Sequence, residues 1–232
     1  LSLLGFFQAF MGWYMVKSGL IDKPDVSHFR LSIHLSTAFV IYSILLYYFW
    51  NLFSKNKNEE TKLSYKRLML HKSNFIISLF LLFTTIIAGA LVSGTNAGLA
   101  YNNFPLMGDG FFPPIFYEIE SLYLNTLFND QGFLQFTHRL LATATLLFVL
   151  HTIFKANKDG LFNNIKVIFY SLSSLIVIQY TLGIIILRLY VPIFLGLLHQ
   201  LGAVIIISLI IISLCEINKK KKRGLIKPRL IK

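Results

Sequence analysis

Cysteine is nearly absent. The 232 residues hold one, Cys215, so no intrachain disulfide can form and thiolate metal chemistry has no ligand set. At the inner end of the last apolar run it reads as a small helix-packing residue. Charge is scarce too, at 14% against 55% hydrophobic and 15% aromatic residues, which excludes a disordered chain and a soluble domain of any size. Acidic residues number 10 against 22 basic ones. The 94–133 segment lacks Lys and Arg altogether while carrying Asp109, Glu118, Glu120 and Asp130. The first apolar run has neither a basic flank before it nor a small-residue cleavage site after it, so it reads as a membrane segment rather than a secretory signal.

What remains is a set of apolar runs. Crossing ~30 Å of hydrocarbon takes about 20 residues, and six runs approach or exceed that: Leu1–Val16, Leu31–Phe53, Phe75–Ser93, Phe133–Phe154, Ile165–Leu187 and Val191–Cys215. Each must be a helix, because a lone strand leaves its backbone unsatisfied in lipid. The expected fold is therefore all-α and integral to the membrane, with six transmembrane helices. The chain opens at Leu1, inside the first run, and that run is shorter than the rest. It is read as the remnant of a longer N-terminal region.

The connecting segments alternate in sign. Basic residues crowd 54–72 (Lys55, Lys57, Lys62, Lys66, Arg67, Lys72), 155–166 and the tail from Lys219 to Lys232. By the positive-inside rule these face the cytoplasm, together with the C-terminus, and the acidic 94–133 loop faces out. Topology accounts for the net charge of +12, with anionic lipid as a further contact and no nucleic-acid partner.

Within this frame His34, His138 and His199 each fall a few residues inside the outer end of an apolar run, roughly 5–12 Å below its entrance. An ionisable ring inside a membrane marks a functional site by default. Two imidazoles at one depth on facing helices suit the axial positions of a haem iron. Zinc would need a third and a fourth ligand, and no carboxylate or thiol sits at comparable depth. His28, His71 and His151 lie in a loop or at run ends and read as interfacial residues. Arg139, Arg188, Lys17 and Arg30 are outer cations placed to meet propionate anions. Gly183, Gly196 and Gly202 are small enough to let a flat macrocycle approach.

Two hairpins repeat one pattern. Gln8, Gly12, Lys17, then His34 and Ala38 are matched by Gln179, Gly183, Arg188, then His199 and Ala203, so Q-x3-G-x4-[KR] followed by H-x3-A occurs twice. Such duplication is familiar in membrane proteins built from similar halves. It predicts two pseudo-symmetric four-helix bundles, eight helices in all, of which this chain holds six. Residues 1–53 would be the remainder of the N-terminal bundle and 54–72 a basic inner loop. Residues 73–215 would be the C-terminal bundle with its outer loop 94–133, and 216–232 a basic cytoplasmic tail. The outer loop carries Tyr101, Phe104, Leu106 and Met107 among turn formers, so it is expected to pack down as a lid. Pro114–Phe128 has apolar residues at helical spacing and is expected to lie along the interface.

GWYMVKSGL at 12–20, RLSIH at 30–34, AGLAYNNFPLMG at 97–108, QFTHR at 135–139 and LGIIILRLYVPIFLGLLHQLGA at 182–203 together resemble haem A synthase, closest to its mitochondrial and alphaproteobacterial branch. The five motifs span nearly the whole chain. The outer-loop cysteine pairs of another branch do not occur. The resemblance implies an eight-helix inner-membrane oxidoreductase of haem biosynthesis that converts the C8 methyl of haem O to the formyl of haem A for terminal oxidases. It implies haem b (iron) as cofactor between His138 and His199, and haem O as substrate with His34 as one ligand. A haem O synthase, an electron donor and further copies of the chain are the partners it brings into view. The second substrate-side histidine and a nearby acidic residue belong to a preceding helical pair, which puts the activity of these six helices alone in doubt. No side chain is nominated as a general base.

Two rival readings use the same residues. A b-type cytochrome would employ the histidines only to relay electrons, but gives no reason for a second site around His34. A transporter suits repeats and a basic inner face, yet the glycines and prolines cluster at outer ends rather than breaking helices at mid-depth.

Overall fold

The computed structural model describes residues 1–19, 26–54, 64–117, 123–161 and 166–226. Its elements are helices α1 (Ser2–Gly19), α2 (His28–Phe53), α3 (Tyr65–Gly94), the short α4 (Leu124–Leu127), α5 (Gln131–Lys158), α6 (Lys166–Arg188) and α7 (Ile193–Ile226), with 3-10 turns at Ala97–Leu99 and Pro114–Tyr117. No strand is present among the described residues, and the protein is an all-α integral membrane protein.

Five helices, α2, α3, α5, α6 and α7, are long and apolar enough to cross a membrane. The sixth expected span is α1. α1 has 18 residues, but Gln8, Lys17 and three glycines dilute its apolar character. Two boundaries also move. α3 begins at Tyr65, ten residues before its apolar run, with Ser64 accepting the Arg67 N–H at its start. α7 continues to Ile226 through the first lysines of the tail, which have good helix propensity and complement the C-terminal dipole. Residues 55–63 and 227–232 lie outside the described residues. The interfacial helix expected over Pro114–Phe128 is two separate turns, Pro114–Tyr117 and Leu124–Leu127, and Glu118 and Glu120 between them are not described.

α3 packs on α5 and α7, and α6 packs on the same two helices. α3, α5, α6 and α7 thus form a ring in which α5 and α7 face each other across a diagonal. α2 packs on α3 and α7, and α1 packs on α2. The main core (Phe75, Leu82, Val149, Leu172, Ile206, Ile210 and neighbours) fills the basic end of the ring. Toward the acidic-loop end packing loosens. No residue is buried over 136–144 on α5, 177–186 on α6 or 193–202 on α7.

The α3–α5 seam carries a ladder of polar pairs. His71 Nε2 lies 2.9 Å from Asp159 Oδ2, Ser78 Oγ donates to Thr152 Oγ1 at 3.3 Å, and Thr85 Oγ1 meets Thr145 Oγ1 at 2.8 Å. Successive rungs are seven residues apart on both helices, the period that returns a side chain to the same seam of a left-handed pair. His71 is therefore fully buried and not the interfacial residue its position in the sequence suggested. Its rung closes the basic end, where Asp159 ends α5 and Gly160, at φ +63°, turns the chain away. On the α2–α7 seam Glu216 accepts from Trp50 Nε1 (2.8 Å) and pairs with Lys219 (2.9 Å). Cys215 is buried and free beside Asn51, in the packing role expected of it.

Candidate functional site

His34, His138 and His199 lie six or seven residues beyond the first residues of α2, α5 and α7, ~10 Å along each helix, all at the acidic-loop end. Each is half-buried. Each also meets a glycine on the preceding long helix. A Cβ placed on Gly12 would lie 3.3 Å from His34 Cε1, one on Gly89 3.0 Å from His138 Cε1, and one on Gly183 3.2 Å from His199 Cε1. The absent side chain is what lets each backbone close on an imidazole edge. Gly183 and Gly202, expected to admit a macrocycle, are thus occupied by protein: the first by His199, the second by the amide of Gln179. Gly196 alone of the three has open space around it.

The glutamines of the repeat behave alike. Gln8 Nε2 donates to the carbonyl oxygen of His34 at 3.1 Å, and Gln179 Nε2 to that of His199 at 2.7 Å. The duplication read from spacing is a duplication of contacts. The structure also exposes a third copy that the sequence reading missed. Thr85, Gly89, His138 and Ala142 repeat the spacing with Thr in place of Gln, and the Gly–His contact recurs. The signal was present as H-x3-A at 138–142, but a search keyed on Gln passed over it.

The ring nitrogens differ in their partners. His138 Nδ1 lies 3.1 Å from the carbonyl oxygen of Thr85. A carbonyl only accepts, so Nδ1 carries the proton and Nε2 keeps its lone pair, the tautomer a metal-ligating histidine holds. His199 Nδ1 is buried without a partner, and no hydrogen bond reaches its Nε2 among the described residues. His138 and His199 lie on α5 and α7, the two helices that stand across the diagonal of the ring. In the first hairpin Gln8 Nε2 also lies 3.3 Å from His34 Nε2.

The loop packs down as expected. Ala97, Met107 and Ile115 are buried. Gln135, itself buried, donates to the carbonyls of Ala97 (2.9 Å) and Tyr101 (3.1 Å). Arg139 donates to the carbonyls of Leu106 (3.1 Å) and Tyr101 (2.9 Å) and to Gln135 Oε1 (3.1 Å), leaving its buried Nε without a partner. This arginine straps the loop to α5. Arg188 is exposed and lines a shallow cleft of about 430 Å³ with Asn102, Asn103 and Tyr190. The turn beyond it holds Tyr190 and Val191 at φ +59° and +57°, a region costly for a β-branched residue. Gly98 leaves the space that Val191 fills. Arg30 stacks on Tyr14 at 4.6 Å. Lys17 is exposed. Among the described residues no cluster of three or more His, Cys, Asp or Glu could hold a bare metal ion.

These residues fit a haem rather than a bare ion. Two imidazoles stand across a loosely packed half-bundle with Nε2 unpaired, and cations lie at the same end. The fold and site define an all-helical, multi-pass membrane protein with paired intramembrane histidines. The profile of the COX15-CtaA family, cytochrome oxidase assembly proteins, matches residues 1–211. The chain is 39% identical over 216 residues to a Heme A synthase of Wolbachia sp. subsp. Brugia malayi, covering 93% of this chain and 61% of that protein. It is 38% identical over 221 residues to that of Flavobacterium johnsoniae (94% and 63%) and 41% over 215 residues to that of Rickettsia prowazekii (90% and 60%). The chain belongs to the COX15-CtaA family, and it spans about three fifths of the length of these relatives.

Proposed function

We propose that the chain is part of a haem A synthase, an inner-membrane oxidoreductase that converts the C8 methyl of haem O to the formyl of haem A. The basic ends and the C-terminus face the cytoplasm. In this reading residues 73–215 hold haem b between His138 and His199, and residues 1–53 contribute His34 as one ligand of the substrate haem. The observation that carries it is the His138–His199 pair across the α5–α7 diagonal, with the His138 tautomer fixed by the Thr85 carbonyl and Nε2 free.

Bound haem supplies redox chemistry at iron, and the protein supplies ligands, orientation and a dry pocket. His138 and His199 offer neutral imidazole nitrogens. Gly89 and Gly183 fix the ring positions. Gln135 and Arg139 hold the loop over the acidic-loop end, which limits entry of water, and the Arg139 Nε–H is available to an anion. Arg188, on the rim, suits a propionate. An electron donor, a haem O synthase and further copies of the chain are the proposed partners. A purely electron-relaying cytochrome leaves the duplicated contacts around His34 without a purpose.

The test has two parts. Pyridine haemochrome analysis of the detergent-purified chain is expected to give about one haem b per chain, lost in His138→Ala and His199→Ala. Haem extracted from cells that also make haem O is then examined chromatographically for haem A. Full haem b retention in both histidine variants would overturn the ligand assignment.

A further inference from the structure

The two glutamines of the repeat hold their histidines alike at the backbone and differently at the ring. Both amides donate to the histidine carbonyl. Only Gln8 also reaches an imidazole nitrogen, with Nε2 to Nε2 at 3.3 Å. An amide NH2 only donates, so His34 Nε2 accepts and the ring proton sits on Nδ1. Gln8 Oε1 and His34 Nδ1 are both buried without partners, so neither has an alternative bond to favour another arrangement. At His199 the Gln179 amide is seated over Gly202 and makes no bond to the ring.

We infer that Gln8 is a positioning residue that makes His34 an exchangeable ligand. It occupies the lone pair of Nε2 until an iron porphyrin displaces it, while His199 carries no such competitor. This rests on the reading of His34 as a ligand of the substrate haem. A substrate has to leave after reaction and a cofactor has to stay, and a competing N–H on one imidazole nitrogen separates the two behaviours without changing the ligand. The same hydrogen bond keeps the tautomer correct, so displacement needs no proton movement. The net worth of such a bond corresponds to about two- to tenfold in affinity.

The experiment follows haemin leaving the detergent-purified full chain for an excess of apomyoglobin. The phase absent in His34→Ala reports the His34 site, and the phase absent in His199→Ala reports the other. Gln8→Met keeps the shape but removes the donor, and is expected to slow the His34 phase about two- to tenfold. The carboxylate of Gln8→Glu accepts a hydrogen bond from Nε2–H and so holds the tautomer without a lone pair on Nε2, and is expected to accelerate that phase. Gln179→Met should leave the His199 phase within about twofold. Opposite shifts from the two Gln8 variants separate this role from general loosening of α1, which would accelerate both. A His34-dependent phase that ignores Gln8, or moves the same way in both variants, overturns the inference alone. Absence of any His34-dependent phase overturns His34 as a ligand and the inference with it.

Discussion

The α1–α2 and α6–α7 hairpins share a glutamine, a glycine, a histidine and the contacts among them, yet they sit in different surroundings. α6 buries Phe169, Leu172, Ile176 and Leu187 against its neighbours, whereas among the described side chains of α1 only Met11 is buried. Both rings have an unpartnered Nδ1, but only His34 has its Nε2 engaged. A short repeat therefore specifies a local unit: an imidazole edge against a glycine, its backbone carbonyl held by an amide. What the unit does depends on what closes around it. Four helices enclose the second copy and its diagonal partner His138, and the first copy rests on a single flank.

The largest test of this contrast is the loss of each histidine. His199→Ala and His138→Ala are expected to abolish haem b in reduced-minus-oxidised spectra, because either change removes one of the two imidazoles that would hold it. His34→Ala and His71→Ala should keep the full signal. Equal losses from His34→Ala and His199→Ala would show that the hairpins are functionally alike and end the comparison.

A smaller effect distinguishes the glycines. Gly183→Ala puts a Cβ 3.2 Å from His199 Cε1 in a hairpin pinned by α3 and α5, and overpacking in a fixed setting costs about 1–3 kcal/mol. Haem b affinity is expected to fall about tenfold in a haemin titration. Gly12→Ala makes the same contact with His34 at 3.3 Å, but α1 has one flank and room to shift, so haemin binding there should change less than about threefold.

Much of this was legible in the sequence because lipid simplifies the code. Long apolar runs had to be helices, and the sign of the loops ordered their ends, so every long helix was located. The histidines were visible because polar residues are costly at that depth. What escaped depended on pairing across helices. His71 looked interfacial from its place in the run, and only the register that sets it against Asp159 buries it. The sequence showed Arg139 as an outer cation but not as a strap for the loop, because the carbonyls of Tyr101 and Leu106 that it binds lie more than thirty residues away. The bond from Gln8 to a ring nitrogen of His34 could not be read from spacing at all, since Gln179 keeps the same spacing without that bond.

The loop offers a change confined to the second unit. Gln135→Leu removes the donations to the Ala97 and Tyr101 carbonyls and the Oε1 that accepts from Arg139, while filling the same buried volume. Both carbonyls keep a second donor, Ala100 N–H and Arg139, so the cost is that of the lost hydrogen bonds, about 0.5–1.5 kcal/mol each. Hydrogen exchange of the 97–108 segment is expected to accelerate about tenfold or more, with the haem b spectrum unchanged. A changed spectrum would mean that the loop orders the ligands as well as covering them.

The smallest effect concerns the ladder that the α3–α5 hairpin has and α1–α2 lacks. Thr145→Val removes one hydroxyl from the Thr85 rung. Thr85 Oγ1 then still donates to the Leu81 carbonyl at 2.7 Å, so no donor is stranded. Interhelical hydrogen bonds in membranes average about 0.6 kcal/mol, and that loss is expected in denaturant unfolding of the detergent-solubilised chain. The neighbouring rung lies ~10 Å away by helical rise, so Thr145→Val and Ser78→Ala should add. The Thr85 residue also supplies the carbonyl that fixes the His138 tautomer, through its backbone and not its hydroxyl. Haem b should therefore survive Thr145→Val with its spectrum intact. If the spectrum shifts while stability barely moves, the rung serves the position of His138 more than the adhesion of the helices, and the enclosed hairpins would differ from α1–α2 in ligand geometry as well as in packing.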